Sequence, residues 1–318
     1  MPELPEVENL RLTLERHLLG RTVARATLHR DDVLIGRRTP AALLQGKPIT
    51  ALVRHGKQLA LITPGPCLCV HLGMSGSLRI ETPTQTHDHH QNPLDHCATA
   101  SAGQPLKHVH AHWQLDNGLK LLFRDPRRFG GLWTFPTPQA LHASRWARLG
   151  DDALAITPAR LHRQLQTTQR ALKAVLLDQT VIAGLGNIYV DELLFNTRLA
   201  PQQPAHTLTR PQADSLVRHM RTLLRKAIAA GGSTLRDYVD SNGDVGSYQL
   251  RHRVYGRADQ PCRRRACRGI VHTAIVAGRT TAWCPDCQPT TSDNPRATLP
   301  KEEKRNTSLP HSSSPGAL

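Results

Sequence analysis

The segment 176-LLDQTVIAGLGNIYVDELLF-195 is the most informative part of the second half of the chain. Apolar residues at helical spacing precede its glycine-containing turn, starting at Leu172, and an apolar run over residues 188–195 follows the turn. A third helical series ends at Gly231-Gly232, a pair of the kind that terminates helices. The sequence therefore predicts a helical domain over residues 155–232.

The turn itself, Gly184-Leu-Gly186-Asn187, is similar to the start of a dinucleotide-binding fingerprint. A Rossmann site is excluded because no predicted strand precedes the turn, the third glycine is missing and helices flank it on both sides. Backbone N–H groups at the start of a helix bind phosphate, and the Asn187 amide can add a donor. We therefore predict a phosphate contact here; the alternative is an ordinary turn between helices.

The first half of the chain changes from a helical to a β-type pattern. Apolar residues from Val7 to Leu18 recur at helical spacing, with Pro2 near the first turn, where proline is tolerated. Short β-type runs follow, including 49-ITALVRHGKQLALI and 119-LKLLFRD, and Asn117-Gly118 indicates a hairpin. We expect an α+β protein whose residues 1–136 form an N-terminal helix on a β-sandwich or barrel.

A polar stretch at about residues 82–106 interrupts this β-type pattern and is predicted to be a surface loop. The stretch contains four histidines and one cysteine, His87, His89, His90, His96 and Cys97. Their spacing matches no metal-ligand pattern, so solvated histidines are favoured over a second metal site.

Four of the seven cysteines lie close together near the C-terminus, at Cys262, Cys267, Cys284 and Cys287. The spacing is Cys-x4-Cys, sixteen residues, then Cys-x2-Cys, which is typical of a β-hairpin that holds a tetrahedral zinc ion. Four thiolates leave no open coordination position, so the predicted Zn²⁺ is single and structural. The alternative, four reduced core cysteines, fits poorly with so arginine-rich a segment.

The chain of 318 residues carries a formal net charge of +16, which predicts a polyanionic partner. Residues 251–287 contain eight arginines and two aspartates, a net charge of +6, so the basic excess and the cysteines share one segment.

The tail, residues 289–318, is nearly neutral and rich in Ser, Thr and Pro, and we expect it to be disordered. Without an apolar run of about 18 residues or a basic, apolar leader, the protein is expected to be cytoplasmic, with no membrane partner.

Two short motifs carry candidate chemistry. Proline after the initiator Met permits Met removal, which would expose Pro2 as a secondary amine able to attack a carbonyl-level carbon. Glu3 and Glu6 can shuttle protons or cap the helix, and the alternative is a plain acidic helix start. In 124-RDPRRFGG, arginines beside Phe129 suit a surface that wedges into a base stack, whereas a solvated turn with a buried Phe129 is the alternative.

Taken together, these features resemble the formamidopyrimidine-DNA glycosylases of the zinc-finger type, the bacterial base-excision enzymes for oxidised purines. The resemblance extends from Pro2 to Gln288. The blocks that carry it are 2-PELPEVE, Lys57 in 54-RHGKQLAL, 71-HLGMSGSLRI, 107-KHVH, 125-DPRRFG, 176-LLDQTVIAGLGNIYVDELLF, 231-GGSTLRDY, 254-VYGR and 279-RTTAWCPDCQ.

The resemblance implies a helix–two-turn–helix domain after the sandwich, a lesion-recognition loop and zinc finger at residues 233–288, and double-stranded DNA with an oxidised base in the cleft of a monomer. It implies a Schiff base on Pro2, with Glu3 as acid/base at the sugar, Lys57 as proton donor in β-elimination and Arg279 on phosphate during δ-elimination. The remaining implied DNA contacts are the wedge residues Met74, Arg127 and Phe129, and the backbone contacts His108 and Asn187. The family's lysine-rich stretch, which supplies a further phosphate contact, is replaced here by Thr167-Thr168-Gln169-Arg170, so Lys173 is the expected replacement and Arg170 the alternative.

Departures from the family pattern and rival functions bear on these expectations. The first cysteine pair is usually Cys-x2-Cys, so the two extra residues between Cys262 and Cys267 should bulge the knuckle without excluding zinc.

An endonuclease VIII-type enzyme for oxidised pyrimidines is the nearest rival, but Leu4 and the loop 241-SNGDVGSYQ favour the purine branch. A non-catalytic DNA-binding zinc protein is the other alternative, and the intact set Pro2, Glu3 and Lys57 argues against it.

Overall fold

A computed structural model describes residues 1–82, 107–233 and 246–290. The predicted insert with its histidines, most of the 241-SNGDVGSYQ loop and the tail after residue 290 lie outside the described residues. The structure is of the α+β type, as the sequence predicts. No helix in the described ranges is long and apolar enough to cross a membrane.

The first half is a β-sandwich with one long helix, α1 (Leu4–Leu18). In the described residues of this half, the strands are β1 (Val23–Leu28), β2 (Leu34–Ile35), β3 (Ala51–His55), β4 (Gln58–Ile62), β5 (Cys67–His71), β6 (Ser77–Glu81), β7 (Val109–Leu115), β8 (Lys120–Arg124) and β9 (Gly131–Phe135). One sheet has the order β1-β7-β8-β6 and the other β2-β9-β5-β4-β3. Their facing apolar side chains share one core with α1, which includes Val7, Leu14, Trp113 and Phe123. The predicted hairpin is present, since β7 and β8 pair on either side of Asn117-Gly118.

The start of α1 differs in one detail from the prediction. The proline in the first turn of the helix is Pro5, not Pro2, because Glu3 is the N-cap residue and Pro2 precedes it. The Glu3 N–H donates to the Glu6 carboxylate at 2.8 Å, so Glu6 caps the helix as one of the two roles considered for it. Pro2 is buried ahead of the first turn.

The second half is helical around a separate core. The sandwich is followed by α2 (Pro138–Ala143), β10 (Asp151–Asp152), α3 (Pro158–Gln166), α4 (Leu172–Leu177), β11 (Ile182–Ala183), α5 (Asn187–Thr197) and α6 (Arg210–Ala229). The two-residue strand β11 pairs with β10 ahead of the glycine turn, and it is too short for a Rossmann unit. Leu4 belongs to this helical core, whereas Val7 and Leu10 belong to the sandwich core, so α1 joins the two halves.

The C-terminal part of the described chain is a two-stranded hairpin, β12 (His272–Val276) and β13 (Arg279–Trp283). A small core beneath it joins Val254, Val271 and Ala282 to Phe195 at the end of α5. The hairpin is therefore anchored on the helix that follows the glycine turn.

Candidate active site and nucleic-acid interface

The Glu3 carboxylate lies at the N-terminus of α5. Its oxygens accept hydrogen bonds from the backbone N–H groups of Ile188 at 2.9 Å and Tyr189 at 3.4 Å. Glu3 is nevertheless fully buried, and this burial raises its pKa to about 7, against the opposing effects of Lys57 and of the two N–H donors. A carboxyl group with a pKa near neutrality can both give and take a proton at physiological pH.

The two glycines of the turn before α5 make this approach possible. A Cβ at Gly186 would overlap the Glu3 carboxyl carbon, and one at Gly184 would lie 2.6 Å from Leu4 Cδ1. The prediction that backbone N–H groups at this helix start bind phosphate is therefore wrong, because the Glu3 carboxylate occupies them. The same physical preference for an anion is satisfied from within the protein.

The Glu6 carboxylate connects the amino terminus to two residues that the sequence analysis did not single out. It accepts the Tyr189 O–H at 2.6 Å and the Ser233 backbone N–H at 2.7 Å, besides the N–H of Glu3. These partners are distant along the chain, and the only sequence signal for them is their place in 176-LLDQTVIAGLGNIYVDELLF and 231-GGSTLRDY.

Lys57 lies at the turn between β3 and β4, close to the two glutamates. Its side chain is buried, and burial lowers its pKa while the charges of Glu3 and Glu6 raise it. The turn is fixed from the second half of the chain by Asp152, which accepts the Gly56 N–H at 2.9 Å and pairs with the Arg54 guanidinium. The structure thus brings three of the four predicted catalytic residues, Pro2, Glu3 and Lys57, to the seam between the two halves.

Arg279 approaches this cluster from the C-terminal hairpin. The residue is exposed at the start of β13, and its charge contributes to lowering the pKa values of Lys57 and Lys173. The Asn187 side-chain amide donates to the Thr280 carbonyl at 2.8 Å, so the start of α5 is tied to the hairpin next to Arg279. The predicted phosphate contacts of Asn187 and Arg279 are adjacent in space.

Lys173 is the predicted DNA contact that the structure contradicts. Its side chain is 0% exposed, and its ammonium donates to Asp191 Oδ1 at 2.6 Å and to Thr281 Oγ1 at 2.8 Å. Asp191 also accepts the Ala282 N–H at 2.9 Å. Lys173 therefore joins α4 and α5 to the hairpin. Because its ammonium group is wholly buried and has no contact with solvent, Lys173 cannot also bind a phosphate of DNA.

Replacing Lys173 with Met is expected to lower the free energy of unfolding by about 3 to 5 kcal/mol, because it leaves the Asp191 carboxylate buried without its partner. The exposed Lys226→Met is the matched control and should change stability by less than about 0.5 kcal/mol. Thermal and urea unfolding of both variants would measure the difference. A phosphate role would instead leave stability unchanged and reduce the salt dependence of DNA binding.

The candidate wedge residues lie together on exposed turns at one end of the sandwich. Met74 is 40% exposed and Phe129 is 55% exposed, so the alternative of a buried Phe129 is excluded. The Arg127 guanidinium carbon lies 4.7 Å from the centroid of the Phe129 ring. Apolar tips beside a cation, free of core contacts, are suited to entering a base stack.

Asp125 organises these turns, although its role could not be predicted from the motif 124-RDPRRFGG alone. It is fully buried, and its carboxylate accepts the Ser75 hydroxyl at 2.6 Å and the Gly130 N–H at 2.7 Å. Its own N–H donates to the carbonyl of His108, an exposed residue just before β7. The predicted backbone contact His108 therefore lies beside the wedge.

The four C-terminal cysteines form a site with the geometry of a tetrahedral thiolate centre. Their sulfur atoms lie within 4.8 Å of one another, with 3.8 Å between Cys262 and Cys287 and 3.7 Å between Cys267 and Cys284. Zn–S bonds of about 2.3 Å place tetrahedral sulfurs about 3.8 Å apart, so the residues fit a zinc ion. This is the one group of three or more such ligands in the described part of the chain.

The longer first knuckle is accommodated without loss of this geometry. Ala266 adopts a left-handed conformation with φ of 64°, which absorbs the extra residues. Backbone N–H groups of Arg264 and Gly269 each lie 3.4 Å from a cysteine sulfur and stabilise thiolates. The Arg264 guanidinium lies 4.6 Å from the Phe195 ring centroid, so the bulge also docks the knuckle on the end of α5.

Comparisons with known proteins agree over nearly the whole chain. The family model described as "Formamidopyrimidine-DNA glycosylase N-terminal domain" matches residues 1–132, and "Formamidopyrimidine-DNA glycosylase H2TH domain" matches residues 149–239. Two relatives named formamidopyrimidine-DNA glycosylase, from Paracoccus denitrificans and Methylobacterium radiotolerans, are 40% and 38% identical. The alignments cover 91% of this chain, with 100% of the first relative and 99% of the second.

Solved structures give the same result. The crystal structure of the MutM (Fpg) protein from Thermus thermophilus has a TM-score of 0.76 and 38% identity, covering 91% of this chain and 99% of that one. A mutant of the Lactococcus lactis protein, in complex with DNA containing Fapy-dG, has a TM-score of 0.78 and 30% identity, covering 91% and 100%.

Proposed function

Because the chain belongs to the formamidopyrimidine-DNA glycosylase family, we propose that it excises oxidised purines, such as 8-oxoguanine and formamidopyrimidines, from double-stranded DNA and cleaves the resulting site as a lyase. The observation that carries the proposal is the buried cluster of Glu3, Glu6 and Lys57 around the amino terminus. Such a set supplies a proton donor and acceptor beside a candidate amine nucleophile.

The first chemical step is displacement of the base. After removal of Met1, the Pro2 nitrogen uses its lone pair to bond C1′, and the glycosidic bond breaks with its electron pair on the departing base, which takes up the proton that the Pro2 nitrogen releases. Glu3 gives a proton to the sugar ring oxygen, the ring opens, and an iminium links Pro2 to C1′. A pKa of about 7 suits Glu3 to this step, because much of it is protonated at neutral pH.

Strand cleavage follows from the same iminium. Glu3, now deprotonated, takes a proton from C2′, and the 3′ phosphate leaves with the electron pair of its C3′–O bond in β-elimination, with Lys57 as proton donor. Loss of the C4′ proton then expels the 5′ phosphate in a second elimination, with help from Arg279. Both groups lie at the seam, Lys57 from the sandwich and Arg279 from the hairpin. Hydrolysis of the iminium releases the enzyme.

Met74, Arg127 and Phe129 fill the gap left by the flipped nucleotide, and His108 and Asn187 hold the DNA backbone. Opening a damaged pair costs less than opening an intact one, so a wedge helps to select lesions. One structural Zn²⁺ on the four cysteines would fold the knuckle that positions Arg279, and it takes no part in the reaction. We propose that the protein acts as a monomer.

The test is to incubate the protein with a duplex that contains 8-oxoguanine opposite cytosine, in the presence of borohydride. A covalent protein–DNA adduct is expected, because borohydride reduces the iminium to a stable amine. No adduct here but a strong one with thymine glycol would favour the endonuclease VIII-type alternative. No adduct with either duplex would favour a non-catalytic DNA-binding zinc protein.

The pH dependence of base excision should follow the protonation of Glu3. The proton donor is present below its pKa and is lost as the pH rises through about 7, so the single-turnover rate of base excision should fall above about pH 7. Glu3→Gln should be slower at every pH and should lack this decline, since an amide has no proton to lose. A decline that persists unchanged in Glu3→Gln would exclude Glu3 as the acid.

A further inference from the structure

A chain of buried polar groups joins His252 to Glu6. His252 Nε2 lies 3.0 Å from Ser233 Oγ, which lies 3.2 Å from the Tyr189 hydroxyl, whose proton is donated to Glu6 Oε1 at 2.6 Å. All four side chains are buried. Their hydrogen bonds are therefore made with one another rather than with bulk water.

The direction of each hydrogen bond follows from its neighbours. Burial raises the pKa of Tyr189, so the phenol keeps its proton and donates it to Glu6. The Tyr189 oxygen can then only accept from Ser233, and the Ser233 oxygen must accept from an N–H of His252. Burial lowers the pKa of His252 to about 4, so the ring is neutral and carries its single proton on Nε2.

At the Glu6 end, this series of hydrogen bonds contacts the peptide next to the proposed nucleophile. Glu6 Oε2 accepts the N–H of Glu3 at 2.8 Å, and this N–H belongs to the peptide bond between Pro2 and Glu3. Glu6 Oε1 also accepts the Ser233 N–H at 2.7 Å. The Glu6 carboxylate thus has a fixed orientation, and with it the peptide that carries the Pro2 ring.

The backbone of His252 is held from the cysteine knuckle, and its ring is held by two aromatic side chains. Arg263, next to the ligand Cys262, donates to the His252 carbonyl at 2.8 Å, and the Tyr255 ring packs against the imidazole edge to face at 5.6 Å. The Tyr248 ring contacts the imidazole at 6.0 Å. The imidazole is therefore a fixed donor and not a mobile surface group.

We propose that His252 is a positioning residue for the amino-terminal nucleophile, acting through Ser233, Tyr189 and Glu6 on the peptide between Pro2 and Glu3. Its imidazole is buried, so it acts through the hydrogen-bonded groups and not as a catalytic residue. The inference rests on the proposed function, because it assigns His252 to a reaction at Pro2. Without the Nε2 donor, the Ser233 hydroxyl is free to turn away from Tyr189. The fixed direction of the hydrogen bonds from His252 to Glu6 is then lost.

The test is the rate of borohydride-trapped adduct formation on a duplex with an abasic site, at saturating DNA and in a single turnover. His252→Leu removes the donor at similar volume and should slow this rate at least about tenfold, while zinc content and affinity for an uncleavable duplex stay at the wild-type level. His252→Gln keeps an N–H donor near the Nε2 position and should restore most of the rate. A structural role alone would not give rescue by Gln with unchanged DNA affinity.

A second variant breaks the same chain nearer to Glu6 and guards against poor folding of His252→Leu. Tyr189→Phe should also slow adduct formation, and the double variant should be no slower than the slower single one, because both act on one chain. Multiplicative losses would overturn the inference, as would failure of His252→Gln to recover.

Adduct formation by the wild-type protein distinguishes failure of the His252 proposal from failure of the proposed function. An adduct with the wild type and an unchanged rate in His252→Leu would overturn this inference alone. No adduct with the wild type would overturn the proposed function, and this inference with it.

Discussion

Pro2→Gly is expected to slow formation of the borohydride-trapped adduct by at least about 100-fold on a duplex containing 8-oxoguanine. Glycine still permits removal of Met1, so the variant keeps a terminal amine but loses the ring that fixes the nitrogen ahead of α1. Misplacement of a nucleophile by about 1 Å is enough for an effect of this size. Trapping measured by gel shift, with mass spectrometry of the amino terminus, provides the measurement.

Two controls make this result specific. Pro5→Ala changes the proline inside the first turn of α1 and should leave the adduct intact, because it does not touch the terminal amine. Pro2→Gly itself should bind an uncleavable duplex as tightly as the wild type. Equal trapping by the two proline variants would exclude Pro2 as the nucleophile, and a protein that retains Met1 should not be trapped.

Removal of zinc is expected to reduce DNA affinity at least about tenfold. Metal binding contributes about 10 to 16 kcal/mol to the folding of small thiolate centres, so a metal-free knuckle should not hold the hairpin that presents Arg279. Cys284→Ala, which removes a fully buried ligand, should lower the zinc content from about one ion per chain to nearly none. Elemental analysis and fluorescence anisotropy with labelled DNA measure the two effects.

The chain offers a matched control for this experiment in Cys67, a buried cysteine on β5 in a separate cluster under α2. Cys67→Ala should keep both the zinc and the affinity. Normal DNA binding by a protein shown to be free of zinc would contradict the role of the finger.

Local patterns in the sequence were sufficient for much of the fold. The hairpin at Asn117-Gly118, the helices on either side of the glycine turn and the cysteine hairpin each depend on residues near in sequence, and the structure confirms all three. The short helix α2 had no comparable signal, because six residues are too few to establish a period.

The candidate site could be predicted only in part, because its contacts are long-range. Glu3 meets Ile188 across 185 positions, and nothing in the local pattern of either segment shows that the carboxylate replaces a phosphate at α5. Lys173 was misassigned for a related reason: it was expected to replace a lysine of the family pattern, whereas its partners Asp191 and Thr281 come from other elements of the chain. The paired glycines at 184 and 186 were the one usable signal, since two residues without Cβ atoms mark a close approach of another segment.

The placement of α1 across both cores has a consequence for the order of events during synthesis. The amino terminus leaves the ribosome first, yet the N–H groups that receive Glu3 belong to residues 188 and 189, and the serine that bonds Glu6 is residue 233. A nascent chain therefore exposes the proposed nucleophile long before the groups that orient it exist. The proposed catalytic cluster can assemble only after residue 233 has emerged, so translation products that end before it should form no borohydride-trapped adduct with DNA.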